Sequence, residues 1–140
     1  MQNFKFSKTV EVRYNDLDTM QHVNNAVYLT YIEQARSGYL TTACQWDWSK
    51  LGLVLAKTDI NYRRPILFHH KPTVWIRSSK LGQSSITQEV VITEKDHINM
   101  IYADAMIVLV HVDFKSGRPL PLPDYIRSRI DSYETIKVER

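Results

Sequence analysis

One long amphipathic helix followed by four closely spaced strands limits this chain to few folds. Between residues 24 and 44 the apolar positions recur at spacings of four, three and four residues, at Tyr28, Ile32, Ala35 and Tyr39. This period predicts a helix with one broad buried face, running from about Asn24 to about Cys44. Asn24 or Asn25 is suited to cap its first turn.

The expected strands are marked by alternating apolar and polar residues or by continuous apolar runs. They cover residues 4–13, before the helix, and then residues 54–62, 73–81, 85–94 and 100–113. Loops or turns are expected at residues 46–52, 82–84 and 95–99. The last strand is apolar at almost every position, which predicts burial on both of its faces.

The C-terminal part predicts a short helix and a loose end. Pro121 and Pro123 precede Asp124, and Ile126, Ile130 and Tyr133 follow at helical spacing. Residues 137–140 are expected to fray. Because consecutive strands with short turns form an antiparallel sheet, this sheet must wrap the long helix to bury its apolar face. The 140 residues are therefore predicted to form one α+β domain spanning residues 1–140.

Composition and charge narrow the possible functions. The chain is 44% hydrophobic, which is typical of globular proteins, and it carries a formal net charge of +3 with a sequence pI of about 9.0. This mild charge suits an anionic ligand but does not indicate DNA or RNA binding, because no basic stripe interleaved with aromatic residues accompanies it. Cys44 is the only cysteine, so no internal disulfide is expected. With neither an apolar signal segment nor a membrane span in view, we expect a cytoplasmic protein.

The segment between the first strand and the helix gathers ionisable and amide side chains. They are Asp16, Asp18, His22, Asn24 and Asn25. The segment leads into a helix N-terminus, whose unpaired N–H groups favour an ionised carboxylate and polarise a carbonyl. A carboxylate there suits general-base or nucleophilic attack on an activated acyl group. Spacing alone does not choose between Asp16 and Asp18, and turn or cap formation explains both equally well.

Two further side chains have alternative explanations. His22 either orients the turn or assists proton transfer, and a hydrogen-bonded structural histidine is the simpler explanation. Glu33 lies three residues before Arg36, so an ion pair explains it more simply than a second catalytic carboxylate does. The five histidines and the cysteine show no metal-ligand spacing, and the chain contains no GxGxxG, P-loop or GxSxG motif. We therefore expect no metal.

Basic and small polar residues at strand ends predict an anion site. They are Arg63, Arg64, Lys80, Gln83, Ser84 and Ser85. Guanidinium, ammonium and backbone N–H groups at such positions bind phosphates. Each residue alone is explained as part of a solvated sheet rim, but together with the mild positive charge they favour phosphate binding.

The turn and the helix carry a recognisable string of residues. It runs Arg13-Tyr14-Asn15-Asp16-Leu17-Asp18, then His22-Val23-Asn24-Asn25, then Tyr28, Tyr31, Glu33, Ala35 and Arg36. This string resembles the signature of the 4-hydroxybenzoyl-CoA thioesterase-like family, which are hotdog-fold acyl-CoA thioesterases. The Gly82-Gln83-Ser84-Ser85 turn is similar to a hairpin of that family. The resemblance extends over nearly the whole chain, because the strand order also fits.

The resemblance implies a hotdog fold, in which an antiparallel sheet of about five strands wraps one long helix. It also implies a homodimer or homotetramer with sites between subunits. It places the catalytic aspartate at Asp18 and the carbonyl-polarising N–H at Asn25. The expected substrate contacts are His22, Arg63, Arg64, Lys80, Gln83, Ser84 and Ser85. The family usually has glycine where this chain has Gln21, and a positive φ there would strain the backbone.

The reaction implied is hydrolysis of an acyl-CoA thioester to a carboxylic acid and coenzyme A. Coenzyme A is part of the substrate, so no separate cofactor is expected. A carboxylate and oriented N–H donors suit this chemistry, because a thioester carbonyl is electrophilic and a thiolate leaves readily. The alternatives are hydrolysis of acyl-carrier-protein thioesters and a hotdog module that binds acyl thioesters without hydrolysing them.

Overall fold

A five-stranded antiparallel sheet wraps around one long helix. The computed structural model describes residues 1–140. Its elements are β1 (Phe6–Thr9), α1 (Asn25–Cys44), β2 (Gly52–Tyr62), β3 (Pro72–Leu81), β4 (Ser85–Glu94), β5 (His97–Val112) and α2 (Asp124–Tyr133), with a 3-10 turn at Tyr14–Asp16. The strands lie in the order β1-β3-β4-β5-β2, and all neighbours are antiparallel. The predicted α+β hotdog fold is confirmed.

The long helix α1 forms the centre of the core. Asn24 caps it, because its side chain accepts a hydrogen bond from the Ala26 N–H at 2.9 Å. Gln45 ends it in the left-handed conformation, with a φ of 53°. Its buried residues extend the predicted stripe: Tyr28, Tyr31, Ile32, Ala35, Tyr39, Leu40, Ala43 and Cys44. This face packs against β1, β3 and α2, so its burial holds the helix inside the curve of the sheet.

Two strand boundaries differ from the prediction by three residues or more. β1 ends at Thr9 rather than at residue 13, because the backbone leaves β3 after Val10 and enters the 3-10 turn. β5 begins at His97 rather than at residue 100, because the turn from β4 contains only two residues. Asp96 adopts a φ of 64° in that turn, which matches the backbone twist of a tight hairpin.

The prediction that β5 is buried on both faces is wrong for the single chain. One face, with Ile107 and Leu109, is buried in the core. The other face carries Met106, which is 37% exposed, and the neighbouring strand β2 exposes 48% of Val54 and 46% of Leu55. β2 is also an edge strand. An apolar surface beside an open strand edge is typical of a subunit contact.

The C-terminal segment is anchored, so the prediction that it frays is wrong. Glu139 pairs in parallel with Lys80 of β3, and Val138 is buried. Glu134, directly after α2, accepts a hydrogen bond from the Ser78 N–H at 2.9 Å. Burial raises the pKa of this carboxyl group. The segment therefore pairs with backbone N–H and C=O groups of β3 that the short strand β1 leaves without a partner.

Candidate active site

Asp16 is the structural member of the two aspartates in the turn before α1. It is 1% exposed. Its Oδ2 accepts hydrogen bonds from the Tyr31 hydroxyl at 2.7 Å and the Arg13 N–H at 2.9 Å, and its Oδ1 accepts from the Arg13 guanidinium at 3.0 Å. Burial opposes ionisation of this carboxyl, but the hydrogen bonds from Tyr31 and Arg13 outweigh it and lower its pKa. Asp16 thereby fastens the turn to the helix.

Asp18 is half-buried and keeps one carboxylate oxygen free. Its Oδ1 accepts hydrogen bonds from the N–H groups of Met20 and His22 at 2.8 and 3.1 Å. The Asp18 N–H donates to the His22 carbonyl oxygen at 2.7 Å. No hydrogen bond from the chain reaches Oδ2. The turn therefore holds this carboxylate in place while leaving one oxygen available for chemistry.

Gln21 occupies the position in this turn where glycine would be expected. Its φ is 64°, and its N–H donates to the Asp18 carbonyl oxygen at 3.0 Å. The left-handed conformation costs a residue with a Cβ roughly 1 kcal/mol. The turn thus keeps the shape that glycine allows, at the expense of local strain.

The N-terminus of α1 offers an unused donor. The Ala26 N–H is taken by the Asn24 side chain, and the Val27 N–H donates to the Asn24 carbonyl oxygen at 2.8 Å. The Asn25 N–H has no acceptor in the chain. Because it lies at the positive end of the helix dipole, it is suited to bind a carbonyl oxygen on which negative charge develops.

A cleft of about 230 Å³ opens beside this donor, between α1 and the end of β2. Its lining residues are Asn25, Tyr28, Tyr62, Arg63, Arg64 and Pro65. The Tyr62 hydroxyl donates to the Asn25 carbonyl oxygen at 3.0 Å, and the Tyr28 hydroxyl donates to the Arg64 carbonyl oxygen at 3.1 Å. Burial raises the pKa of Tyr28, and the nearby charge of Asp18 adds to the increase. The cleft therefore lies within electrostatic reach of Asp18.

Tyr28 and Tyr62 line the cleft, a position that the sequence pattern does not predict. Their rings pack edge to face with centroids 5.0 Å apart. The one available signal is that a tyrosine hydroxyl on a buried stripe requires a hydrogen-bond partner. The sequence does not reveal that these partners are backbone carbonyls on the two sides of the cleft.

The two arginines after β2 differ in how much of their charge is free. Arg63 donates to both oxygens of Asp104, from Nε at 2.6 Å and from Nη2 at 3.3 Å. Asn61 donates to the same carboxylate at 3.0 Å. No carboxylate pairs with Arg64. Arg64 therefore supplies the uncompensated positive charge at this cleft.

The other predicted phosphate contacts lie at the far end of the sheet: Lys80, Gln83, Ser84 and Ser85. Ser85 pairs with Val110, which in turn pairs with Val54 near the start of β2, whereas Arg63 follows the end of that strand. Roughly 25 Å of extended strand separates the two groups. Within one chain the register of the sheet therefore holds the two groups of predicted phosphate contacts apart, and their binding role stays a prediction.

His22 and Glu33 have structural surroundings that the sequence left open. The His22 backbone bonds to Asp18 and pairs with Leu67, but its ring makes no hydrogen bond in the chain. The explanation of a hydrogen-bonded structural ring is therefore wrong. Glu33 forms the expected ion pair with Arg36, at 3.8 Å, and its side chain is 73% exposed. Such an exposed pair contributes little stability.

The chain offers neither a cluster of metal ligands nor a helix suited to a bilayer. No group of three or more His, Cys, Asp or Glu side chains lies close enough together to hold a metal ion. Neither helix combines the length and the apolar character needed to cross a bilayer. The cytoplasmic location expected from the sequence stays a prediction.

Comparisons with known proteins identify the family and the fold. Residues 12–130 match the family profile of the Thioesterase-like superfamily. The chain is 32% identical over 126 residues to the long-chain acyl-CoA thioesterase FadM of Escherichia coli (strain K12), covering 87% of this chain and 94% of that enzyme. A thioesterase from Thermus thermophilus, solved in complex with coenzyme A and Zn, is 37% identical with a TM-score of 0.85, covering 99% of this chain and 100% of that one. The 1,4-dihydroxy-2-naphthoyl-CoA thioesterase Slr0204 from Synechocystis has a TM-score of 0.79 at 16% identity, covering 89% and 94% of the two chains, which shows the shared fold alone.

Proposed function

The chain belongs to the Thioesterase-like superfamily, and from this membership we infer that it is an acyl-CoA thioesterase. It adds water to an acyl-CoA thioester and releases a carboxylic acid and coenzyme A. The observation that carries this proposal is that Asp18 keeps one carboxylate oxygen free within electrostatic reach of a cleft that holds an unused helix N–H at Asn25. The activity of FadM and the coenzyme A bound to the Thermus thermophilus relative support the same substrate class.

The proposed chemistry uses both groups. The thioester carbonyl oxygen accepts a hydrogen bond from the Asn25 N–H, and this bond strengthens as the oxygen gains negative charge. One such donor contributes roughly 3 kcal/mol to the stability of the transition state. Asp18 either removes a proton from the attacking water, or attacks the acyl carbon itself to form an anhydride that water then hydrolyses to the carboxylic acid. In both routes the thiolate of coenzyme A leaves and takes up a proton. Because Met20 and His22 already hold the carboxylate, it needs little rearrangement to react.

Thiol release by the purified protein tests this function directly. The substrates are acyl-CoAs of increasing chain length and one aromatic acyl-CoA, and a thiol-reactive dye reports free coenzyme A. Cys44 is buried, and burial raises its pKa to about 11, so the protein contributes little background. One thiol is expected for each acyl-CoA consumed. Binding without release would instead support a non-catalytic module, and release from acyl-carrier-protein esters alone would support the carrier-protein alternative.

We also propose that two chains pair along β2. This strand is an edge of the sheet and exposes Val54 and Leu55. If the two β2 strands pair in antiparallel fashion, the start of one strand meets the end of the other. The hairpin at residues 82–85 of the partner subunit, which lies near the start of its β2, is then at the same end of the joined strands as Arg64. A dimer would therefore reunite the two groups of predicted phosphate contacts, and a tetramer would add a second pair through the outer sheet face.

Replacing Leu55 with glutamate is expected to convert the assembly to monomers and to reduce kcat/KM for acyl-CoA. The reason is that a charge on the apolar edge would lose its hydration in the interface without gaining a partner. Sedimentation equilibrium measures the mass, and thiol release measures the activity. Lys50→Gln, in the exposed loop before β2, lowers the net charge by the same one unit and is the matched charge control. An unchanged assembly mass in Leu55→Glu would exclude this interface.

Replacing Arg64 with alanine is expected to raise KM for acyl-CoA roughly tenfold, about 1.4 kcal/mol, with little change in kcat. Arg64 has no carboxylate partner and is therefore free to bind a phosphate of the substrate. Added salt should reproduce the effect in the wild-type protein. Arg63→Ala is the comparison, and its smaller expected effect follows from the pairing of Arg63 with Asp104. Equal KM changes in the two variants would contradict this division of roles.

A further inference from the structure

A line of contacts runs from His70, in the loop after β2, to Asp18. The His70 Nδ1 accepts a hydrogen bond from the Leu67 N–H at 2.9 Å, and the His70 N–H donates to the Leu67 carbonyl oxygen at 3.0 Å. Leu67 forms an antiparallel bridge with His22. The His22 N–H donates to Asp18 Oδ1 at 3.1 Å. Three successive contacts therefore connect the imidazole ring to the carboxylate.

We propose that His70 is a positioning residue, whose neutral ring holds the loop at Leu67 against His22 and so keeps Asp18 in place for catalysis. This inference rests on the proposed thioesterase function, because it concerns the geometry of Asp18 in that reaction. A protonated imidazole carries a hydrogen on each nitrogen and accepts no hydrogen bond. Protonation of His70 would therefore set two donors against each other and break the first contact of the line.

The groups around the ring favour its neutral form. The ring packs against Tyr102 of β5 with centroids 5.3 Å apart and against His69 at 4.4 Å. Burial lowers the pKa of His70, and the positive charges of His69 and Arg64 add to that decrease, whereas Glu94 of β4 opposes it. The Glu94 carboxylate is itself engaged by the Tyr102 hydroxyl at 2.8 Å. The acceptor nitrogen is therefore free of a proton at neutral pH.

Solvent reaches the ring from one side, so its protonation state follows the pH of the medium. A groove of about 370 Å³ lies there, with Glu11 and Lys71 on its walls. His70 has a lowered pKa in the folded chain, so below its usual value of 6.5 the unfolded chain takes up a proton first. The contribution of this contact to stability is therefore complete at neutral pH and decreases as the pH falls below 6.5. Turnover is expected to decrease with it.

Two substitutions of His70 distinguish the effect of its hydrogen-bond acceptor from the effect of its volume. His70→Asn offers a side-chain oxygen close to the position of Nδ1 and does not titrate, whereas His70→Leu fills space and accepts nothing. The leucine variant is expected to lose roughly tenfold in kcat, with KM for acyl-CoA nearly unchanged. The asparagine variant should keep most of kcat. It should also retain a larger fraction of its activity on acidification from pH 8 to pH 5.5 than the wild type does.

His97→Leu is the matched control, because His97 is exposed, its ring makes no hydrogen bond in the chain, and it is not among the charged groups that act on His70. It is expected to leave kcat and the pH profile unchanged. Amide hydrogen exchange at Leu67 gives a second measurement, which should be faster in His70→Leu and close to wild type in His70→Asn. A wild-type kcat and pH profile in His70→Leu would overturn the proposal. If the leucine variant does not fold, the pH profile of His70→Asn decides, and an unchanged profile there counts against it. If the wild type releases no thiol from any acyl-CoA, the proposed function fails, while exchange at Leu67 still tests the His70 contact.

Discussion

Replacing Asp18 with asparagine is expected to lower kcat for acyl-CoA hydrolysis by about 10²- to 10⁴-fold. The substitution removes the negative charge that activates water or attacks the thioester. It keeps a side-chain oxygen that can still accept the hydrogen bonds from the Met20 and His22 N–H groups. The fold and the affinity for the substrate should therefore change little. Thiol release under saturating acyl-CoA measures kcat, and urea unfolding verifies that stability is retained.

The matched control for Asp18→Asn is Glu33→Gln. Glu33 is an exposed carboxylate on α1 whose ion pair with Arg36 is long, so turnover is expected to stay near that of the wild type. A near-wild-type kcat in Asp18→Asn would show that another group performs the chemistry. A large loss in Glu33→Gln would identify that group.

Replacing Asp16 with alanine is expected to destabilise the protein by about 3 kcal/mol. The substitution leaves the Tyr31 hydroxyl, which is almost completely buried, and the Arg13 N–H without their acceptor. An unpaired buried polar group costs roughly 1–3 kcal/mol. The expected result is a lower urea midpoint with an unchanged m value, and turnover per folded molecule should fall far less than in Asp18→Asn. An unaltered midpoint would mean that the turn does not depend on Asp16.

The pH dependence of the free energy of unfolding gives an independent measurement of how much the charge of Asp16 stabilises the fold. Because the pKa of Asp16 is lowered in the folded protein, its charge stabilises the fold above the usual value of 3.8. This contribution is lost as the pH falls through the lowered pKa. Asp16→Asn keeps the shape but not the charge. The stability difference between wild type and Asp16→Asn should therefore narrow as the pH is reduced from 7 towards 3, and a constant difference would contradict the assignment.

The elements with strong local periodicity were predictable. The spacing of Tyr28, Ile32, Ala35 and Tyr39 predicted α1, and Asn24 lies at its cap as one of the two residues proposed. The strands β3 and β4 begin and end within one residue of the prediction. Such patterns predict helices and strands well because they depend only on which face of the local element is buried.

Elements whose limits depend on distant neighbours were predicted less well. β1 begins only at Phe6 because the C-terminal segment at Glu139 pairs with β3 beyond that point, at Lys80, and it ends at Thr9 because the chain turns away from β3. The outer face of β5 is apolar but partly exposed in the single chain, and its composition does not say whether the same chain or a second copy covers it. Sequence patterns record that a residue type tolerates burial but not which segment buries it.

The same distinction applies to the two aspartates of the turn. The residues alone placed both of them, with Asn24 and Asn25, at the N-terminus of a long helix, because turn formers and an apolar helical stripe are local signals. Only the tertiary structure gives Asp16 and Asp18 different environments. The Tyr31 hydroxyl, in the second turn of α1, donates to Asp16, whereas Oδ2 of Asp18 accepts no hydrogen bond from the chain. Tertiary packing also paired Arg63 with Asp104 and left Arg64 free. The hydrogen bonds and the charge pairing of a side chain depend on groups that are far apart in the sequence and meet only in the folded chain. No local sequence pattern therefore determines them.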